Sequence, residues 1–307
     1  MAVEKRYPST ILATVCIPWD ETYSFDRQLF CRQVDLLKSR GVHHLYLFGT
    51  AGEGYGVTDR QFEEIVKVFA REMQGQDLHP MVGVISLSLQ TMVERIEYAY
   101  DQGIRDFQIS LPSWGALSDD EMRDFFHRVC DQYSDCRFLV YNLMRTKRLL
   151  SVGEFISLAE EIPNLGGAKF TSADIPSMQE MAAGDSPLQF FLGERNYGIG
   201  SIFGEFGYLI SLGSSSFQRA WKYFHAGRRK DTEQITRYMQ ELSSILREFI
   251  KIMGPGRIDG AYDKVFSKIL DPQFPLRLLP PYQTSTEEQY MQYRSFLQKQ
   301  YPQWLQE

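Results

Sequence analysis

Three side chains with complementary chemistry stand at the ends of short apolar runs in this sequence. Lys169 closes the run Leu165–Lys169, and lysine is seldom buried without a partner. Burial disfavours the charged form of a lysine and lowers its pKa, and the neutral amine is a nucleophile that forms a Schiff base with a ketone. Tyr141 and Thr50 end or follow similar runs, so a proton-transferring phenol and an orienting hydroxyl would accompany the amine. On position alone, a lysine that extends from a loop into solvent is the alternative.

Composition limits the classes of protein to consider. The chain has 307 residues, of which 43% are hydrophobic and 23% charged, which suits a globular protein with one large α/β barrel or two ordinary domains. Its net charge of −6 argues against nucleic acid as a partner. The cysteines form no CxxC pair and no zinc-type spacing, which indicates reduced, packed thiols. They are Cys16, Cys31, Cys130 and Cys136.

The beginning of the chain shows neither a membrane span nor a secretion signal. The apolar run Ile11–Ile17 is too short to cross a bilayer, and Pro18 ends it. A charged start, an apolar core and a small-residue cleavage site do not occur together. We therefore expect a cytoplasmic protein without a membrane partner.

Eight short β-rich runs recur along the chain, with helical patterns between them. The predicted strands are Ile11–Val15, His44–Phe48, Met81–Val84, Phe107–Ser110, Phe138–Tyr141, Leu165–Lys169, Gln189–Leu192 and Tyr208–Ser211. Strict alternation of strand and helix implies a parallel sheet, and eight repeats imply closure into an α/β fold of the (β/α)8 TIM barrel type. An open, doubly wound sheet is the alternative. It would carry a Gly-rich turn after the first strand, where this chain has Cys16-Ile17-Pro18-Trp19.

The predicted helices carry their own start and stop signals. Capping boxes begin three of them, at Thr58 with Gln61, Ser118 with Glu121 and Ser151 with Glu154. From about Arg228 the pattern becomes entirely helical, with a break at Gly254-Pro255-Gly256. We predict a barrel with the active site in residues 1–227 and a C-terminal helical extension, residues 228–307, packed on the barrel.

A barrel of this kind places its active site at the carboxyl ends of the strands. The segments at those ends are Gly49-Thr50-Ala51-Gly52-Glu53, Pro112-Ser113-Trp114, Tyr141-Asn142, Lys169 and Gly193-Glu194. Four of these regions resemble signatures of the dihydrodipicolinate synthase and N-acetylneuraminate lyase family, the pyruvate-dependent class I aldolases. The loop 49–53 resembles the family's GTTGE, and Tyr141-Asn142 resembles its YN pair. Gly167-Ala168-Lys169 and Gly193-Glu194 resemble its G-I-K and G-D segments, in matching order over nearly the whole chain.

The resemblance implies roles for particular residues. Lys169 would form the imine, Tyr141 would shuttle protons and position the substrate carboxylate, and Thr50 would hydrogen-bond that tyrosine. Backbone groups near Ala51, Gly193 and Ile210 fall where the family shapes its keto-acid pocket. The resemblance also implies pyruvate as the keto acid, a homodimer or homotetramer, and no cofactor. The histidines lie away from the strand ends and form no metal cluster, so a metal-dependent class II aldolase is not expected.

Three departures from the family pattern concern the second substrate. Ala51 replaces the second threonine of the loop. Ser113-Trp114 replaces paired tyrosines, and an indole cannot relay a proton as a phenol does. The segment Leu143–Arg148 lacks the family's proline, and Arg145 matches the arginine that holds the aldehyde's carboxylate only if one residue is deleted. We therefore expect poor dihydrodipicolinate synthase activity and a different aldehyde or sugar acid as the partner.

Several other polar segments allow two interpretations. Gly213-Ser214-Ser215-Ser216 either binds phosphate or forms a polar loop that caps a helix. Tyr55 either supplies the missing phenol or packs on the barrel mouth. The basic residues of 145–148 either grip an acidic substrate or stay solvated. Glu53 is expected to order its loop rather than act as a general base. We count Arg145, Trp114 and Tyr55 with the candidate substrate-binding residues.

Two functions from different classes remain. The favoured one is a carbon–carbon lyase in which Lys169 condenses with a 2-keto acid, and a bond to an aldehyde or sugar acid forms or breaks. The alternative is a catalytically weak barrel that binds a keto acid or sugar acid as a sensor or partner protein, which Ala51 and Trp114 motivate. Reduction with borohydride in the presence of pyruvate separates the two.

Overall fold

The eight expected strands form a closed parallel barrel. The computed structural model describes residues 3–171 and 174–306, and its strands pair in sequence order until β8 meets β1. They are β1 Ile11–Thr14, β2 His44–Leu47, β3 His79–Gly83, β4 Asp106–Ile109, β5 Arg137–Asn142, β6 Leu165–Phe170, β7 Gln189–Leu192 and β8 Gly207–Ile210. The largest difference from expectation is at β3, which begins at His79 rather than Met81. The prediction of a (β/α)8 TIM barrel is confirmed.

Helices follow the strands, and three more come after the barrel. They are α1 Arg27–Ser39, α2 Asp59–Glu72, α3 Leu89–Asp101, α4 Asp119–Cys130, α5 Val152–Glu161, α6 Ile175–Ala183, α7 Glu194–Phe203, α8 Phe217–Arg228, α9 Thr232–Met253, α10 Asp259–Leu270 and α11 Glu287–Gln300. The three predicted capping boxes are present at α2, α4 and α5. A fourth, at Thr286 and Gln289, begins α11. Among these helices none is both long and apolar enough to cross a membrane.

Side chains along each strand alternate between the barrel interior and the surrounding helices. A small cluster fills the interior and consists of Tyr7, Leu12, Tyr46, Met81, Leu139, Phe191 and Leu209. A larger apolar cluster lies between strands and helices and includes Val140 and Ala168. Because these two residues face outward, their neighbours Tyr141 and Lys169 face the barrel interior.

The helical extension covers the carboxyl end of the barrel on one side. α9 packs against α7 and α8, and α10 packs against the turn after β8, residues 212–215. The division of the chain at residues 227 and 228 stays a prediction. Residues 1, 2, 172, 173 and 307 of the two predicted units lie outside the described part of the chain.

A buried ion pair joins the loop after β2 to the extension. Glu53 and Lys264 of α10 are both fully buried, and Glu53 Oε1 lies 2.5 Å from Lys264 Nζ. Glu53 also accepts hydrogen bonds from the indole of Trp19 at 2.9 Å and from the backbone N–H of Leu279 at 2.7 Å. These contacts support the expectation that Glu53 orders its loop.

Removing the positive partner of this pair should destabilise the whole protein. Lys264→Met leaves the Glu53 carboxylate buried without its cation, and breaking a buried pair in this way costs about 3–5 kcal/mol. Chemical denaturation should report that loss in the free energy of unfolding. Adding Glu53→Gln to the same variant should recover part of it, because no uncompensated charge remains. Unchanged stability of Lys264→Met would contradict the structural role given to the pair.

Candidate active site

Lys169 and Tyr141 lie side by side at the carboxyl end of the barrel. They are register partners in the parallel pair β5–β6, and Lys169 Nζ lies 3.9 Å from the centre of the Tyr141 ring. Tyr141 is buried, and the amine of Lys169 lies over its ring. Lys169 itself is half-buried, because it faces the barrel mouth. A phenol this close to an amine is a candidate for proton transfer during the reaction.

The pKa of Lys169 is raised above the ordinary lysine value, contrary to the expectation from burial. Burial is the largest single influence and does lower it, but the opposing influences together are larger. These are the electrostatic interactions with the phenol groups of Tyr141 and Tyr46 and with the carboxylate of Asp259. Lys169 is therefore an ammonium at neutral pH, and its proton must leave before the nitrogen can attack a ketone.

A second phenol, Tyr46 of β2, lies close to Lys169 and is absent from the residues predicted for the site. Burial raises the pKa of Tyr46, so it remains protonated at neutral pH. Its ring covers Gly49, where an added Cβ would lie 2.2 Å from a ring carbon. The alternation of side chains along β2 could have identified Tyr46. Leu45 and Leu47 face the helices, so Tyr46 between them must face the barrel interior.

Arg145 reaches the barrel mouth together with a carboxylate from the extension. Its Nη2 lies 2.9 Å from Asp259 Oδ1, and its Nη1 lies 3.3 Å from Asp259 Oδ2. The same Nη1 donates a long hydrogen bond of 3.5 Å to the hydroxyl of Thr50, which is buried. The predicted hydrogen bond from Thr50 to Tyr141 stays a prediction. Asp259 is a member of this group that the sequence analysis does not identify.

The other basic residues of the segment after β5 point elsewhere. Lys147 Nζ donates to the backbone carbonyl of Trp114 at 2.7 Å. Arg148 forms ion pairs with Asp119 at 2.7 Å and Glu154 at 2.6 Å. Trp114 is 82% exposed to solvent, and its place among the substrate-binding residues stays a prediction.

Tyr55 lies beside the Arg145–Asp259 pair. Its ring packs edge-on against Tyr282, with ring centres 5.1 Å apart, which supports the packing interpretation. Its hydroxyl is inaccessible to solvent and has no hydrogen-bond partner among the described residues. Burial raises the pKa of Tyr55, and Arg145 opposes that shift because it lies nearby.

The three residues predicted to contribute backbone groups lie at the ends of their strands. Ala51 is buried, and its carbonyl oxygen would lie 3.2 Å from a Cβ added to Gly260 of α10. Gly193 is the N-cap of α7, and an added Cβ there would meet nothing within 4 Å. Ile210 ends β8 with its side chain in the outer apolar cluster, so only its backbone faces the barrel end.

The loop after β8 is occupied by a carboxylate of the chain itself. Glu194 Oε1 accepts hydrogen bonds from the backbone N–H of Ser211 at 2.5 Å and of Gly213 at 3.2 Å. A phosphate at these N–H groups would meet the negative charge of Glu194. The loop 213–216 therefore fits the polar-loop interpretation better than the phosphate-binding one.

Asp263 of α10 is a buried carboxyl group that sequence reasoning misses. It is 4% exposed, and its Oδ1 accepts a hydrogen bond of 2.7 Å from Ser211 Oγ. Burial raises the pKa of Asp263 to about 8, with Asp259 and Glu194 raising it further and Ser211 and Lys169 opposing. The sequence carries no local signal for it, because the buried residues of α10 also include the polar Ser267 and Lys268.

The ionisation of Asp263 should therefore make the folded protein less stable as the pH rises. An acid with a raised pKa binds its proton more tightly in the folded chain, so the stability that Asp263 contributes is complete below its ordinary pKa of 3.8 and is lost as the pH rises to about 8. Asp263→Asn should melt close to wild type at pH 5 and several degrees higher at pH 8. Thermal unfolding over this range checks it, with exposed Asp120→Asn as the control. Parallel curves for wild type and Asp263→Asn would contradict the prediction.

A cavity of about 520 Å³ opens between the residues that follow β6 to β8 and the helical extension. Polar groups from the barrel line one side, including Thr171, Gly193 and Ser211, and Met239 and Leu246 of α9 line the other. Its lining does not include Lys169, Tyr141 or Thr50, so the cavity is a neighbouring space and not the site of the proposed imine.

Comparison with known proteins agrees with the barrel fold. Residues 7–258 match the model of the dihydrodipicolinate synthetase family. An N-acetylneuraminate lyase from Enterobacter sp. (strain 638) is 22% identical over 79% of this chain and 82% of its own. The Escherichia coli K12 prophage protein YagE, solved with pyruvate, superimposes with a TM-score of 0.85 at 17% identity, over 95% of this chain and 98% of its own. Dihydrodipicolinate synthase from Bacteroides thetaiotaomicron superimposes with a TM-score of 0.83 at 20% identity, over 95% and 98%.

The fold and the family match thus define a TIM barrel of the lyase class. The chain belongs to the dihydrodipicolinate synthetase family. This membership confirms the resemblance derived from the four sequence segments and the expectation of an enzyme of the carbon–carbon lyase class.

Proposed function

We propose that this protein is a Schiff-base-forming class I aldolase or lyase that uses pyruvate as its 2-keto acid. The observation that carries the proposal is the Lys169–Tyr141 pair, with Nζ 3.9 Å from the ring centre at the active end of the barrel. YagE, a structural relative, was solved with pyruvate. Family membership supports the same substrate class.

The chemistry follows from these two side chains. The Lys169 ammonium loses its proton to water, and the neutral Nζ attacks C2 of the keto acid while Tyr141 gives a proton to the ketone oxygen and regains one from the nitrogen. The carbinolamine loses water to leave a C=N bond, and loss of a proton from C3 gives an enamine. The enamine electron pair forms a bond to the aldehyde carbon while the aldehyde oxygen gains a proton. Water then hydrolyses the imine, and the lyase direction reverses these steps. Thr50 and Arg145 would orient the hydroxyl group of Tyr141 for these proton transfers.

The second substrate is proposed to be an aldehyde or sugar acid longer than the keto acid. An N-acetylneuraminate lyase is among the relatives of this chain, and its name indicates a sugar acid as substrate, which supports this proposal. We expect little turnover with aspartate semialdehyde, the substrate of dihydrodipicolinate synthesis, since Ala51 and Trp114 alter the family pattern. A panel of aldehydes tested with pyruvate, and of sugar acids tested alone, would identify the preferred reaction.

Reduction with borohydride tests the proposal directly. Incubation with pyruvate followed by borohydride should add the mass of one reduced pyruvate unit to the chain, and peptide mapping should locate it on Lys169. Acetate, which has no ketone, is the control ligand. A chain that gains no mass with any 2-keto acid would favour the sensor or partner function over catalysis.

We further propose a homodimer or homotetramer in the cytoplasm. Free cysteines at all four positions suit a reducing compartment. Three large apolar side chains near the barrel mouth are strongly exposed, namely Trp114 at 82%, Met144 at 69% and Leu87 at 59%. Exposed apolar groups of this size commonly mark contact surfaces between subunits.

Trp114→Ser should shift the protein toward the 35.7 kDa monomer, because it removes the largest exposed apolar side chain. Analytical ultracentrifugation at micromolar concentration measures the change. Ile202→Ser, on the outer face of α7 and 44% exposed, is the matched control and should leave assembly unchanged. A wild-type protein that sediments only as monomer would contradict the proposal.

A further inference from the structure

The ion pair between Arg145 and Asp259 changes what the barrel mouth presents to a substrate. Asp259 is the first residue of α10, so its carboxylate also lies at the positive end of a helix dipole. The two side chains meet through both guanidinium nitrogens, at 2.9 and 3.3 Å, and they are 50% and 37% exposed. The pair is thus ordered by two contacts and open to solvent.

Contacts on both sides tie this pair to the proposed catalytic residues. Arg145 Nη1 donates to Thr50 Oγ1 at 3.5 Å, and Thr50 follows the strand that carries Tyr46. Arg145 lies near enough to Tyr141 and Tyr55 to interact with both. The Asp259 carboxylate favours the charged form of Lys169. The pair therefore borders the space next to the amine, where the second substrate must enter.

The charges of the pair cancel, which determines the chemistry it can bind. A free guanidinium binds a carboxylate through two parallel hydrogen bonds, but Asp259 already occupies that geometry on Arg145. A second carboxylate would lie within a few ångströms of the Asp259 charge and be repelled. A hydroxyl group can donate to Asp259 and accept from Arg145.

We propose that Asp259 is a specificity-determining residue that makes this site select an uncharged, hydroxyl-bearing aldehyde over an aldehyde that carries a carboxylate. The inference rests on the proposed aldolase function and names the class of its second substrate. It assigns to a residue of the helical extension a role in choosing what the barrel residues react with.

The experiment measures the reaction of pyruvate with each of two four-carbon aldehydes. Erythrose is uncharged and hydroxylated, and succinic semialdehyde carries a carboxylate. Wild-type kcat/KM should favour erythrose, and Asp259→Asn should change the erythrose-to-succinic-semialdehyde ratio about tenfold or more toward the acid, because it removes the repelling charge. Most of the change should appear in KM for succinic semialdehyde.

Asp119→Asn is the matched control. Asp119 is likewise the first residue of a helix, α4, and pairs with an arginine of the same segment, Arg148, at 2.7 Å. Its side chain is 85% exposed, and Arg148 keeps Glu154 as a partner. This variant should leave the ratio unchanged. Calorimetric binding of erythritol and of succinate to the pyruvate-loaded proteins gives the same comparison without turnover.

The outcomes are distinguishable. A wild-type preference for succinic semialdehyde, or an unchanged ratio and unchanged succinate binding in Asp259→Asn, would overturn this inference while pyruvate trapping on Lys169 still supported the aldolase function. Absence of the trapped adduct in the wild-type protein would overturn the proposed function and this inference with it.

Discussion

Lys169→Ala should form no adduct with pyruvate and should lose turnover by on the order of 10⁵-fold or more, as expected when a covalent nucleophile is removed. The amine is the only part of the proposed mechanism that becomes bonded to substrate, so no neighbouring group can replace it. Intact mass after borohydride reduction and steady-state assays on the preferred aldehyde measure the two losses.

Two variants make this result specific. Lys169→Arg keeps a positive charge beside Tyr141 but cannot form the imine, since an arginine remains charged in proteins. It should fold and still gain no mass. Lys147→Ala removes a lysine that contacts the exposed Trp114 backbone and should react like wild type. An adduct that persists in Lys169→Ala would remove this lysine from the mechanism.

Tyr141→Phe should lower kcat by about 10²–10⁴-fold, the usual contribution of a positioned acid–base group. Binding of pyruvate should weaken much less, because the aromatic ring and its packing are retained. The variant should also shift imine formation to lower pH. Tyr141 is among the groups that raise the pKa of Lys169, so its loss leaves burial less opposed and frees the amine at a lower pH.

Two measurements separate the loss of proton transfer from the change in the ionisation of Lys169. They are kcat and the yield of the borohydride-trapped adduct as a function of pH. Tyr46→Phe is the natural comparison, because Tyr46 also raises the pKa of Lys169 but is not its register partner. Tyr46→Phe should shift the pH dependence of imine trapping, and its loss of kcat should be smaller than that of Tyr141→Phe. Full kcat in Tyr141→Phe would exclude it as the proton-transferring group. An unshifted trapping profile would show that Tyr141 does not control the ionisation of the lysine.

Much of the fold follows from local patterns in the sequence. The eight β-rich runs, the capping boxes and the break at Gly254-Pro255-Gly256 each depend on residues close together in the chain, and the structure agrees with all of them. The placement of Lys169, Tyr141 and Thr50 at strand ends follows from the same patterns, because in a barrel the strand ends meet on one side.

The carboxylate side chains that the C-terminal helical extension brings near the site could not be located from local sequence patterns. Asp259 and Asp263 lie 90 and 94 residues along the chain from Lys169, and nothing local in the sequence indicates where α10 packs. The packing also accounts for Glu53, whose partner Lys264 is fully buried with it.

The ionisation of Lys169 shows most clearly what each level of structure determines. The sequence by itself determines that an amine ends β6 and that a phenol ends the neighbouring strand, since both depend on local patterns and on strand order. Burial alone would lower the pKa of Lys169. The tertiary structure reverses that direction, because charge interactions depend on distances through space, and folding brings Tyr141, Tyr46 and Asp259 close to the amine from three separate parts of the chain.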